Sequence, residues 1–263
     1  VYFSGTNSSG LTRLLADDKN GNDEFGSAVA ISNDTVVVGA ERDTFDVDGD
    51  GSEACDGMTD NSECFIGSAY LFGRDAGGSN NWGQTKKLLP SDGQIDDRFG
   101  AFVAIDGSTV ALGTRNSDGG QTKALVAIFE RNQGGADAWG EVKKLSLEGV
   151  FNGFDAASVA VHGDVVVVGV PNLNGDTNED GIADCVPAGM GYLGDECFTG
   201  GVFTFQRNEG GANNFGLVKS FLATDSMSFN KVGRAVAFDG KSIVVGAAGF
   251  PTNKGAAYVL ESQ

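Results

Sequence analysis

The chain has 263 residues, with 36 acidic and 18 basic side chains and a formal charge of −18, so it lacks the electrostatic attraction that drives binding to nucleic acid or anionic membranes. Cations and partners with basic patches are its natural company. No apolar run reaches the roughly 18 residues that cross a bilayer, and 41 glycines against 4 prolines suit tight turns better than disorder.

The chain opens on the strand-like Val1-Tyr2-Phe3 and reads either as a processed mature protein or as a piece of something longer. Leu11 to Leu15 resembles a further strand. From there one pattern runs four times. Its inner part is Phe25-Gly26…Val36-Val37-Val38-Gly39-Ala40, Phe99-Gly100…Val110-Ala111-Leu112-Gly113-Thr114, Phe154-Asp155…Val166-Val167-Val168-Gly169-Val170 and Val232-Gly233…Ile243-Val244-Val245-Gly246-Ala247. Its outer part is Ala69-Tyr70-Leu71-Phe72…Trp82-Gly83…Lys86-Lys87-Leu88, then Ala127-Ile128-Phe129…Trp139-Gly140…Lys143-Lys144-Leu145, then Val202-Phe203-Thr204-Phe205…Phe215-Gly216…Lys219-Ser220-Phe221.

In the first repeat these predict strands over Ser27–Ile31, Thr35–Gly39, Ala69–Phe72 and Thr85–Leu88, because β-branched runs alternate with turn residues. No amphipathic helix is expected. Four antiparallel strands per repeat, apolar on both faces of the inner strands, describe a propeller blade packed between neighbours. Trp82, Trp139 and Phe215 are expected to pack each outer strand onto its blade.

The pattern resembles the FG-GAP family, in a short-loop form, over nearly the whole chain. The resemblance implies a β-propeller that binds or displays, usually outside the cell. The family's calcium loop between the first two strands has no counterpart here, where only short turns stand: Ser32-Asn33-Asp34, Asp106-Gly107-Ser108, His162-Gly163-Asp164 and Asp239-Gly240-Lys241. We therefore expect an all-β chain, one propeller domain over 1–263 of four four-stranded blades. The repeats run about 17–90, 91–146, 147–222, and 223–263 together with 1–16.

The steps Phe25 to Phe99, Phe99 to Phe154 and Phe154 to Val232 span 74, 55 and 78 residues, an alternation expected of a duplicated pair closed into a ring. Closure would pair the terminal strands, Leu11–Leu15 serving as the strand that the fourth repeat lacks. Val1-Tyr2-Phe3 and Ala257-Tyr258-Val259-Leu260 both match the third strand, so one is surplus. It either packs at the rim or pairs with another molecule.

The lengths come from insertions in repeats one and three. Asp176, Asn178, Asp180 and Asp184, with the carbonyl of Ile182 and a glycine at 181, place hard oxygen ligands at the spacing that suits calcium. Asp46, Asp48, Asp50 and Ser52 form a weaker version, with Ala54 where an acid is expected. A solvated acidic loop is the alternative for each. Cys55 with Cys64 and Cys185 with Cys197 bracket the same insertions without zinc-type spacing. A disulfide within each loop is expected, hence an oxidising, extracellular compartment, against four buried thiols. Asn7 and Asn33 open glycosylation triplets.

Enzyme readings find little footing. His162 is the one histidine, and it falls in a turn. No nucleophile elbow, zinc-protease motif or phosphate loop is present. The acidic pairs Asp17-Asp18 and Asp96-Asp97 read as solvated loop acids. The paired glycines at 77–78, 134–135 and 210–211 would line one rim as tight turns or as contacts for sugar or protein. The expectation is a secreted, non-enzymatic propeller for adhesion or extracellular structure, with calcium and disulfides holding its loops. A self-assembling fibre built through the terminal strands is one version of it; a glycan-binding module is the alternative. Its partners would be an extracellular protein, a glycan or copies of itself, without nucleic acid or membrane insertion.

Overall fold

The computed structural model describes residues 12–18, 21–44, 65–91, 93, 96–115, 124–146, 158–173, 199–222, 231–249 and 255–261. Among these there is no helix. Fifteen strands follow in chain order: β1 (Phe25–Ser32), β2 (Thr35–Ala40), β3 (Ser68–Gly73), β4 (Gly83–Leu88), β5 (Phe102–Asp106), β6 (Thr109–Gly113), β7 (Ala124–Arg131), β8 (Trp139–Ser146), β9 (Ser158–His162), β10 (Val165–Val170), β11 (Gly201–Arg207), β12 (Phe215–Phe221), β13 (Val232–Phe238), β14 (Ser242–Ala247) and β15 (Ala256–Glu261).

They form four antiparallel sheets, β1-β2-β3-β4, β5-β6-β7-β8, β9-β10-β11-β12 and β13-β14-β15, each a chain-ordered meander of the kind that makes propeller blades. The strands expected of the first repeat each lie within the observed β1–β4, which extend them by one or two residues.

In the first three sheets the Val/Ile runs become second strands because both their faces are covered. In the first sheet Val37, Ala69 and Leu71 face the second sheet, where Phe99, Val110, Leu112 and Phe129 complete one core cluster. Val38, Ala40, Tyr70 and Phe72 face the other way and are covered by Leu14 and Ala16. A second cluster joins Ala111, Val126 and Ile128 to Val166, Val168, Phe203 and Phe205 of the third sheet. A third joins Val167 and Val202 to Val232, Val245 and Ala247 of the fourth. A fully buried valine, leucine or phenylalanine stabilises by about 1.5–3 kcal/mol, so these faces hold the sheets in order.

Each sheet therefore packs on the next in sequence: β1 on β5, β5 on β9, and β9 and β10 on β13. None of the principal packing contacts among the described residues joins the fourth sheet to the first. Among the described residues the expected pairing of terminal strands is not seen either. Residues 12–16 form no ladder and lie on the first sheet instead, and β15 pairs only with β14.

Candidate functional site

Both insertions leave the same end of their sheets, since one joins β2 to β3 and the other β10 to β11. Their roots are held by matching bonds. In the first, the Gly67 N–H donates to the Asp43 carbonyl at 3.0 Å, and in the third the Gly200 N–H donates to the Leu173 carbonyl at 3.0 Å. Each root then bridges to the start of the next sheet, Gly67 to Phe99 and Gly200 to Val232.

The first root also carries a buried polar cluster. Asp43 accepts from the Ser68 hydroxyl, and from the Tyr70 hydroxyl at 3.1 Å. Lys87 Nζ lies 2.8 Å from Asp43 Oδ2 and 2.7 Å from Asp18 Oδ2, and 5.2 Å from the centre of the Tyr70 ring. Burial works to lower the Lys87 pKa, but its bonds to Asp18 and Asp43 outweigh this and hold it above the ordinary lysine value. Asp18 is held below the carboxylate range, its own partial burial being overcome by Lys87. Burial, with the Asp43 charge beside it, pushes the Tyr70 phenol up.

Beside this cluster Glu41 is buried, and burial raises its pKa. Arg115 of the second sheet opposes the rise from 2.9 Å, while neighbouring Glu24 adds to it. Glu24 in turn pairs with Arg42 at 3.2 Å. Chemically this end is a set of paired charges that fix loop roots. Among the described residues no three His, Cys, Asp or Glu side chains are grouped to hold a metal.

The insertions themselves lie outside the described residues, and with them Asp46, Asp48, Asp50, Ser52, Asp176, Asn178, Asp180, Ile182, Asp184, Cys55, Cys64, Cys185 and Cys197. Asn7 and Val1-Tyr2-Phe3 lie outside them too. Asn33 is described: it is exposed in the β1–β2 turn with a φ of 53°, at the end of the sheet opposite the insertion.

Of the acidic pairs, Asp18 binds Lys87, Asp97 is buried and Asp96 lies 3.7 Å from Arg98; the two pairs stand at the starts of different sheets. His162 ends β9, with Nδ1 3.8 Å from Asp106 and its ring edge-on to Phe238 at 5.8 Å, so it bridges turns of neighbouring sheets.

The turn end carries a device the sequence reading did not find. Arg74, Arg131 and Arg207, at the ends of the third strands, stack over Trp82, Trp139 and Phe215 at 4.9, 5.3 and 4.9 Å. Arg74 also binds Asp34 at 2.5 Å, and Arg207 binds Asp164 at 2.7 Å. Two of these arginines reach back to the preceding sheet. Arg131 donates to the Thr35 hydroxyl at 3.1 Å, while Arg207 donates to the Thr109 hydroxyl at 3.5 Å and pairs with Glu130. The recurrence of arginine at one position of three repeats was the available signal. The aromatic partners do pack the outer strands as expected, Trp139 and Phe215 being buried.

Comparison with known proteins follows the same lines. The model of the FG-GAP repeat matches residues 10–54 and again 82–126. No curated protein matches the chain. Among solved structures, Sqt1 from Chaetomium thermophilum is similar at 12% identity with a TM-score of 0.41, over 86% of this chain and 45% of that one. The chain thus spans less than half the length of that structure. Residues 10–54 and 82–126 are thus FG-GAP repeats, and they lie in a fold whose four successive sheets are of the β-propeller kind.

Proposed function

We propose that this protein is a secreted, non-enzymatic propeller that serves adhesion or extracellular structure, presenting two loops ordered by calcium and disulfides. The observation that carries the reading is the matched fixing of both loop roots, through Asp43–Gly67 and Leu173–Gly200, at one end of the first and third sheets. Roots held this firmly suit loops that must keep a shape. A loop of some twenty polar residues has little apolar content to order itself, and metal and disulfide would supply that order. Asp176, Asn178, Asp180, Asp184 and the Ile182 carbonyl would hold one calcium ion, and Asp46, Asp48, Asp50 and Ser52 the other. The partner is an extracellular protein or glycan, or further copies of the chain.

The test is calcium titration by calorimetry, joined to limited proteolysis in calcium and in EDTA. We expect uptake at two sites, protection of 45–64 and 174–198 by calcium, and loss of one site in Asp180→Asn. No uptake would sink the calcium assignment. Saturable binding on a glycan array would turn the reading toward a lectin.

A further inference from the structure

Three devices that join one sheet to the next recur along the chain, and each also has unmade halves on the outer faces of the first and fourth sheets. The apolar halves are the plainest. Val29 and Ile31 take the register of Val103 and Ile105, Val159 and Val161, and Val236 and Phe238, all covered at least in part by a preceding sheet. In the first sheet, Val29 is 68% exposed. On the opposite face of the array, Val244 and Val259 take the register of Val37 with Leu71 and of Ala111 with Ile128, which the following sheet buries completely. Val259 is 61% exposed.

The backbone repeats the story. A Cβ on Gly39 would lie 1.9 Å from the Gly100 carbonyl oxygen, and one on Gly169 2.1 Å from that of Gly233, so these glycines exist to let sheets meet. Gly246 holds the same position in the fourth sheet, yet among the described residues a Cβ there would meet only Ala235 of its own sheet, at 3.5 Å or beyond. Gly26, the counterpart of Gly100, has no described residue within 4 Å of its Cβ position.

Charge repeats it again. Arg207 reaches back to Thr109 and Glu130; Ser242 and Glu261 stand at those two positions in the fourth sheet, and Arg74 is the counterpart of Arg207 in the first. The Arg74 side chain is 45% exposed where that of Arg207 is 17% exposed. Finally, Leu14 and Ala16 sit on the first sheet much as Leu88 and Leu145, from fourth strands, sit in the clusters shared with the second and third sheets. Residues 12–16 are placed as the outer strand of a sheet that would precede the first, and the described fourth sheet has three strands.

We propose that the two faces are halves of one interface and that a second copy of this chain makes it. The fourth sheet of one copy packs on the first sheet of the next, and residues 12–16 of the next lie beside β15 as its fourth strand. Among the described residues no principal packing contact joins these halves on one chain. A second copy joins them while altering none of the three internal interfaces. The contact is head-to-tail, so it closes into a small ring of chains or continues as a fibre. This deepens the extracellular-structure reading and rests on it for its purpose. Calcium titration and mass measurement read the two proposals by different quantities and fail independently.

The experiment is light scattering on the full chain, native and substituted. The native mass should be two copies or more at micromolar concentration. Gly246→Ala should melt like the native protein as a monomer, yet associate at least about 100-fold more weakly. Arg74→Glu and Glu261→Arg should each fall apart alone and reassemble when mixed, since the mixture restores an opposite-charge pair at every contact. A native mass of one chain overturns the proposal. So does Gly246→Ala keeping the native mass, or recovery in the Arg74→Glu/Glu261→Arg double variant without recovery in the mixture, which would place the contact within one chain.

Discussion

At the first loop root, Asp43 is almost fully buried and carries a charge that Lys87 answers from 2.8 Å. Removing one partner of such a pair leaves a buried charge uncompensated. Lys87→Met should therefore cost about 3 kcal/mol, read as a lower urea midpoint. Through Asp18, whose pKa is depressed, part of the Lys87 contribution is present at neutral pH and lost as pH falls through that lowered value, so the gap between native and variant should narrow in acid. Lys144 is shifted the opposite way to Lys87. Burial lowers its pKa to about 8, with the ammonium 5.7 Å from the Phe99 ring. Below about 8 both folded and unfolded chains carry that charge and the folded one bears its desolvation. Between there and the ordinary lysine range the folded chain gives up the proton first, so this residue makes stability rise with pH. Dimethyl-lysine NMR on the native protein should find one resonance titrating near that value. None of this was legible beforehand: Asp43, Ser68, Tyr70 and Lys87 are spread over more than forty positions and carry no spacing rule, and only the fold brings them together.

Strands were the most legible level, because a Val/Ile run between turn residues has one stable use when both its faces are apolar. Val36 to Gly39 and Val166 to Gly169 were visible for that reason. The clasps at the strand ends were not, since an arginine near a strand end ordinarily reads as a solvated charge. The clasps differ in weight. Arg207 ties Phe215, Asp164, Thr109 and Glu130 together across two sheets, while Arg74 serves only its own sheet through Trp82 and Asp34. Arg207→Ala should accordingly cost about 2 kcal/mol, because it strands Glu130 as well as removing bonds, and Arg74→Ala about 0.5 kcal/mol at most in the monomer. Equal losses in thermal unfolding would mean that the contacts between sheets carry no special weight. The segment from Leu11 to Leu15 has a strand's apolar pattern, yet its described residues, 12–15, form no ladder and Leu14 lies on the first sheet.

Across the whole molecule, four sheets and their order were readable from the repeat, while closure, which depends on small angles between sheets that no residue pattern encodes, is not shown among the described residues. The site was less readable still. The acidic insertions announce themselves by composition, yet their rigid roots emerge only from bonds such as Gly67 to Asp43 and Gly200 to Leu173. The two bare faces add a consequence of their own. They are unlike, so each copy has a direction, and a copy damaged on one face keeps the other intact. Gly246→Ala retains the first-sheet face and would dock on the growing tip of a normal assembly, then offer the next arrival nothing to bind. A minor fraction of that variant, mixed into native protein before assembly, should shorten the products in proportion to its share. In a cell carrying both versions it would act as a dominant poison rather than a silent loss.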